Sequence, residues 1–121
     1  MAKSKIVIEK PPNPQFRNYH TSAQICETVI AHFQRPLDTR YLRKEKIGER
    51  GQELVKEVLS SKGVDQIYIK PYELSVEIGL AFDWEDIEND VISALKKFYG
   101  VDQPEIIGQN PLKPDLSGLK E

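Results

Sequence analysis

The sequence contains very little cysteine: Cys26 is the only one among 121 residues, so no disulfide can form within the chain. A protein without internal disulfides is typical of a reducing compartment, and we expect a cytoplasmic protein. Long apolar runs are also missing. No segment approaches the roughly 18 consecutive apolar residues of a membrane-spanning helix, and the run Ile6 to Ile8 is too short for a secretory signal. We therefore predict no membrane association.

A large excess of one charge is missing as well, since the formal net charge is −2. Cations nevertheless gather between residues 35 and 50, whereas residues 72–94 contain no lysine or arginine. Because cations neutralise phosphates, the cationic segment is a candidate nucleic-acid-binding surface. Its members are Arg35, Arg40, Tyr41, Arg43, Lys44, Lys46 and Arg50. Asp38, Glu45 and Glu49 lie among them, so we rank nucleic-acid binding below protein binding.

Motifs for catalysis and for metal binding are missing too. The segment Gly48 to Gly51 lacks the preceding strand and the Lys-Ser ending of a phosphate-binding loop. His20, Cys26 and His32 are spaced six residues apart, which separates neighbours by about 20 Å in a strand and puts Cys26 and His32 on different sides of a helix. They cannot share one metal ion. We predict a protein that is not an enzyme, with no catalytic residue, no metal ligand and no cofactor.

Clear periodicity begins at Gln52, where four apolar residues on one side predict a helix to Ser61. Gly63 is predicted to end this helix in a left-handed conformation. Residues 67–70 and 72–78 then alternate between apolar and polar side chains, which predicts two strands joined around Lys70-Pro71. On this alternation Tyr72 belongs to the buried side, whereas Tyr68 and Lys70 belong to the polar side.

A second helix is predicted to begin at Trp84, whose side chain we expect to pack in the core. Asp83 is positioned so that its carboxylate accepts hydrogen bonds from the first backbone amides of that helix. Residues 23–34 fit either a strand or a helix capped by Ser22. The β-branched run Thr28 to Ile30 favours the strand.

These motifs resemble a known family. The run from Ser61 to Val76, SKGVDQIYIKPYELSV, followed by Asp83-Trp84, resembles the N-terminal domain of Nfu/NifU-type iron–sulfur scaffold proteins. In those domains a short helix leads through Gly-Val into a strand, a proline turn, a second strand and an Asp-Trp that opens the last helix. Upstream, Ile6 to Ile8 and the turn Pro12-Asn13-Pro14 are similar to the family's first strand and turn. The resemblance also places a strand before the first helix.

The resemblance implies a function in iron–sulfur cluster assembly. The cluster-carrying part of Nfu proteins is a separate C-terminal domain with a Cys-x-x-Cys motif, and a sequence with one cysteine cannot hold a cluster in that way. We therefore expect a non-catalytic protein-binding or accessory module whose partner is another protein. The candidate binding surface comprises Tyr68, Lys70, Glu73 and Glu77. A nucleic-acid-binding protein and a structural subunit of a larger assembly are the alternatives, and the oligomeric state is left open.

The predicted fold class is α+β: an antiparallel sheet with two helices packed on one face, in the approximate order β-β-α-β-β-α. Residues 1–103 are predicted to form a single domain, and residues 104–121 a loosely attached or disordered tail rich in proline and glycine. The predicted core comprises Ile6, Ile8, Leu54, Val58, Ile67, Ile69, Leu74, Val76, Ile87, Val91, Leu95 and Phe98.

Overall fold

Six strands form one sheet in the structure, a computed structural model that describes residues 4–100 and 103–108. The strands are β1 (Lys5–Glu9), β2 (Phe16–Thr21), β3 (Ala31–Gln34), β4 (Val64–Lys70), β5 (Glu73–Ile78) and β6 (Glu105–Ile107). Across the sheet they lie in the order β3-β4-β5-β2-β1-β6. Every neighbouring pair is antiparallel except β1 and β6, which are parallel, so the sheet is mixed.

Three helices accompany the sheet in the described part of the chain: α1 (Thr39–Lys44), α2 (Glu49–Leu59) and α3 (Trp84–Tyr99). The apolar side of α2 is buried against α3 and β4. The buried side of α3 faces β2, where Glu88 meets Arg17 and Tyr19. The α+β class is therefore confirmed, with the strand β2, the helix α1 and the parallel strand β6 added to the predicted order.

The core lies between the helices and one face of the sheet. Eleven of the twelve predicted core residues are buried, and Phe98 is half-buried against that core. Trp84 also packs against the core, as predicted. Tyr72 was wrongly predicted to be buried: it is 52% exposed, because it occupies the turn between β4 and β5 rather than a strand position.

The strand predicted within residues 23–34 is much shorter than expected, since only Ala31–Gln34 pairs with β4. The alternative helix is not formed. The residues that precede β3 make backbone hydrogen bonds to loops instead. Ile25 N–H donates to the Pro71 carbonyl at 2.7 Å, and Glu27 N–H donates to the Ile47 carbonyl at 3.1 Å. The β-branched run lacks a neighbouring strand there, and Val29 is exposed.

Two predicted helix caps differ from the structure. Helix α2 ends at Leu59 with Ser60 as its C-cap, and Gly63 does not have positive φ. A Cβ atom at Gly63 would lie 2.5 Å from Ile87 Cδ1 and 2.7 Å from Phe82 Cγ, so close packing explains the glycine. Asp83 is the N-cap of α3, but its carboxylate makes no capping hydrogen bond; its backbone carbonyl accepts from Asp86 N–H at 3.0 Å.

Residues 105–107, which were assigned to the loosely attached tail, form β6 beside β1. Ile106 lies opposite Ile6 and packs against the core, which gives this short segment an apolar anchor. The predicted disorder of the tail beyond Gly108 lies outside the described residues.

Candidate functional site

The face of the sheet opposite α2 and α3 carries no helix in the described part of the chain, and we call it the open face. Helix α1 lies on the other side, because Tyr41 contacts the core residue Phe33 with ring centroids 5.4 Å apart. Strand register brings side chains of five strands, all but Val7 polar, into two rows across the open face. One row is His32, Tyr68, Ser75, Asn18 and Glu9; the next is Lys70, Glu73, His20 and Val7.

All four residues of the candidate protein-binding surface lie on this open face. Tyr68 stacks on His32 with ring centroids 4.5 Å apart and an interplanar angle of 26°. Lys70 Nζ lies 3.5 Å from Glu73 Oε1. Glu77 accepts a short hydrogen bond from the Gln66 amide. The neighbouring strands β4 and β5 thus bring these side chains together, since their register pairs Tyr68 with Ser75 and Lys70 with Glu73.

Beside Tyr68 the open face forms a groove of about 450 Å³. One wall comes from the loop between β1 and β2, which bends at Pro12 and Asn13 and turns at Pro14. The lining includes Pro11, Pro12, Phe16, Ile30, Tyr68 and Lys70. Ile30 is 49% exposed although it is a large apolar residue. A groove with apolar walls and a charged margin can accept an apolar side chain of another protein.

A second cluster on the open face was missed by sequence reasoning. One donor atom each from Glu9, His20 and Glu73 lies within 4.8 Å of the other two. His20 Nε2 is 2.7 Å from Glu9 Oε1, which also accepts from Asn18 Nδ2 at 3.3 Å. These hydrogen bonds hold the pKa of the Glu9 carboxyl below its ordinary value. The sequence predicts no strand at residues 16–21, and the cluster forms only because β2 pairs with β1 on one side and with β5 on the other.

The two histidines and the cysteine considered for metal binding lie apart. His20 is on β2 and His32 is on β3, with β4 and β5 between them, so their strands are about 14 Å apart. Cys26 is buried, and its thiol donates to the Thr28 carbonyl at 3.4 Å. Burial raises the pKa of this thiol.

The cationic side chains of residues 35–50 do not share one binding partner within the structure. Arg35 donates to the Lys62 carbonyl at 2.6 Å, and Arg40 lies 3.8 Å from the Asp38 carboxylate. Arg50 stacks over the Phe98 ring at 4.1 Å and donates to the Phe98 carbonyl. The remaining cations, Arg43, Lys44 and Lys46, are exposed on α1 and in the turn that follows it. Nucleic-acid binding by this segment stays a prediction.

Beneath the sheet lies a buried charged cluster that the sequence did not reveal. Arg17 on β2 forms an ion pair with Glu88 on α3, and both side chains are more than nine-tenths buried. The Trp84 ring lies 4.9 Å from the Arg17 guanidinium, and the Trp84 indole donates to the Pro14 carbonyl at 2.8 Å. Tyr19 O–H lies 3.3 Å from Glu88, and burial raises the pKa of Tyr19 well above its ordinary value. These groups satisfy one another, so we assign them a structural function.

Comparison with known protein families shows which family this chain belongs to. The family model described as the scaffold protein Nfu/NifU N-terminal domain matches residues 6–101. The chain belongs to this family. The Nfu N-terminal domain is part of scaffold-type proteins, and membership links this chain to iron–sulfur cluster assembly.

Solved structures agree on the fold of this Nfu N-terminal domain. A Staphylococcus aureus protein known from its crystal structure shares 17% sequence identity over 75% of this chain and 98% of its own, with a TM-score of 0.58. A NifU-like protein from Saccharomyces cerevisiae, solved by NMR in solution, shares 15% identity over 89% of this chain and 87% of its own, with a TM-score of 0.57. At these identities the likeness concerns the fold alone. No curated protein sequence matches the chain.

None of the helices in the described residues has both the length and the apolar character that crossing a membrane requires.

Proposed function

We propose that this Nfu N-terminal domain is a non-catalytic, cytoplasmic protein-binding module that holds no iron–sulfur cluster of its own and docks on a partner in iron–sulfur cluster assembly. The proposed docking surface is the open face around Tyr68, Lys70, Glu73 and Glu77. The observation that supports it best is the half-buried Tyr68 ring, which stacks on His32 at the edge of an apolar groove. Family membership supports the class of partner.

The chemistry of the open face suits a protein partner. Aromatic rings that are held rigid and surrounded by polar groups are typical of the residues that contribute most to protein binding. Tyr68 is held by His32, and His32 is itself fixed by a 2.5 Å contact between its Nε2 and Gln66 Oε1. Because the ring is already ordered, docking costs little side-chain entropy.

The proposed partner is a domain with a Cys-x-x-Cys motif that carries the cluster, because this chain has a single, buried cysteine. The open face carries charges of both signs, since Lys70 lies beside Glu73 and Glu77 follows further along β5, and this favours a partner surface with both charge signs. The domain would then position the cluster carrier without touching the cluster.

The test is the dissociation constant for a purified Cys-x-x-Cys cluster-carrying domain, measured anaerobically by calorimetry with the wild-type chain and with Tyr68→Ala. We expect Tyr68→Ala to weaken binding at least about tenfold, since truncating an aromatic residue that dominates an interface costs about 2 kcal/mol or more and about 1.4 kcal/mol is tenfold. Tyr72→Ala is the matched control, because Tyr72 is an exposed tyrosine of the same hairpin at its turn. An equal loss in both variants, or no loss with Tyr68→Ala, would contradict the proposal.

Anaerobic capture of the tagged chain from a native lysate, with and without nuclease, separates the alternatives. Cluster-assembly proteins that remain bound after nuclease treatment support the docking proposal. Partners that vanish with nuclease, and with Arg43→Glu combined with Lys44→Glu, would instead favour the cationic segment as a nucleic-acid-binding surface.

A further inference from the structure

We propose that Glu9, His20 and Glu73 form a binding site for one divalent transition-metal ion on the open face. The three residues come from the neighbouring strands β1, β2 and β5, so a single ion would bridge the centre of the sheet. Glu73 belongs to the proposed docking surface as well, but ion binding concerns the chain alone and is tested without a partner, so the two proposals can fail independently.

The distances are suited to an ion after small side-chain movements. A metal with bonds of about 2.1 Å holds its donor atoms roughly 3–3.5 Å apart. Here the three donor atoms lie within 4.8 Å of one another, and His20 Nε2 is already 2.7 Å from Glu9 Oε1. Rotations at the ends of two glutamates and one imidazole would suffice, since the strands themselves fix the backbone.

Neighbouring polar side chains hold both carboxylates in position. Asn18 Nδ2 donates to Glu9 Oε1 at 3.3 Å, and Ser75 Oγ donates to Glu73 Oε2 at 3.3 Å. Partners of this kind orient metal ligands and raise the affinity of a site. Solvent reaches the donors, since the His20 and Glu9 side chains are 42% and 54% exposed. Water molecules can therefore complete the coordination shell.

The donor set selects the class of ion. An imidazole nitrogen with two carboxylates favours Mn²⁺, Fe²⁺, Co²⁺ and Zn²⁺, whereas Mg²⁺ and Ca²⁺ prefer oxygen ligands alone. No thiolate lies in the cluster, because its three members are two glutamates and a histidine. We expect exchangeable binding whose strength rises from Mn²⁺ through Co²⁺ to Zn²⁺.

Lys70 provides a distinctive signature of the site. Its ammonium lies 3.5 Å from Glu73 Oε1, where it competes with a bound cation for the same carboxylate. Replacing Lys70 by methionine removes this positive charge, so Zn²⁺ should bind about tenfold more tightly in Lys70→Met. A lone surface histidine that captures Zn²⁺ would not respond in this way.

The test is calorimetric titration of the untagged chain with ZnCl₂, together with the absorption spectrum of the Co²⁺ form. We expect one ion per chain, a loss of at least about tenfold in affinity with His20→Ala and with Glu73→Gln, and no competition by Mg²⁺. His32→Ala is the matched control: this histidine lies on the same face, 2.5 Å from the Gln66 amide oxygen, and should leave the affinity unchanged.

Several outcomes would overturn the site. One is the absence of saturable binding below millimolar Zn²⁺. Another is an equal loss with His32→Ala or Cys26→Ala, which would place the ion elsewhere. A loss of affinity with His20→Ala but not with Glu73→Gln would indicate adventitious binding to one imidazole. Weaker Zn²⁺ binding by Lys70→Met would show that Glu73 is not a ligand. Thermal melts of each variant show that the comparison is made on folded protein.

Discussion

At the scale of single residues, the ion pair between Arg17 and Glu88 is the most deeply buried ion pair of the described residues. Both side chains lie more than nine-tenths out of water, and desolvating them costs free energy that only the paired arrangement offsets. Tyr19 supplies another hydrogen bond to Glu88, and the Trp84 ring covers the guanidinium. The pair therefore ties β2 to α3 and is sensitive to loss of either partner.

We predict that Arg17→Met lowers the free energy of unfolding by about 3–5 kcal/mol, because Glu88 would remain buried and unpaired. Urea unfolding followed by circular dichroism measures the change. Lys97→Met is the matched control: it removes the exposed ion pair between Lys97 and Glu57, whose charged atoms are 3.4 Å apart, and should cost at most about 1 kcal/mol. Similar losses in the two variants would contradict a special function for the buried pair.

The sequence predicted which side chains of β4 face the core and which face away from it, but not which residues of the neighbouring strands they lie next to. Alternation alone assigned Tyr68 and Lys70 to the polar side of β4, and the structure places them there. The cluster of Glu9, His20 and Glu73 could not be predicted, since it depends on β2 lying between β1 and β5. Such pairing joins positions far apart in sequence, and local periodicity carries no information about it.

At the scale of elements, the hairpin of β4 and β5 and the helix α3 were predictable because their signals are local. Apolar periodicity, a proline turn and an acidic first turn all lie within these segments. Strand β6 carried no such signal: three residues become a strand only because β1 offers an edge and Ile106 reaches the core. Tertiary contacts also set the length of β3, since only the residues that pair with β4 form the strand.

Two glycines, Gly63 just before β4 and Gly79 just after β5, give a prediction about element packing. Gly79 N–H donates to the Gly63 carbonyl at 2.9 Å, so both lie at the same end of the β4–β5 pair. We predict that Gly63→Ala lowers the free energy of unfolding by about 1–3 kcal/mol, because the new methyl would press on Ile87 and Phe82.

Gly79→Ala is the control for this change. A Cβ atom at Gly79 would have its nearest neighbours at 3.5 Å, an ordinary contact distance. The free energy of unfolding of Gly79→Ala should therefore stay unchanged or rise by up to about 1 kcal/mol. Urea midpoints of the two variants provide the comparison. If Gly63→Ala is as stable as Gly79→Ala, close packing against Ile87 does not explain the glycine.

At the scale of the whole molecule, β6 closes the edge of the sheet next to β1. We predict that a chain ending at residue 103 is less stable than one ending at residue 108 by about 1–2 kcal/mol, because Ile106 no longer packs against the core. Amide hydrogen exchange in β1 should accelerate in the shorter chain, since its outer edge is then unpaired. Equal urea midpoints and equal exchange would mean that residues 1–103 hold the fold alone.

The position of β2 beside β5 has a consequence for protein synthesis. Strands β1 and β2 form one antiparallel pair, and β3, β4 and β5 form another group, so the two meet only where β2 joins β5. That junction must close over residues 22–72, and closing long loops slows folding. On the ribosome, we therefore expect β2 to have one edge unpaired until β5 has left the exit tunnel, and we expect the polar residues of β2 to limit premature association of the nascent chain.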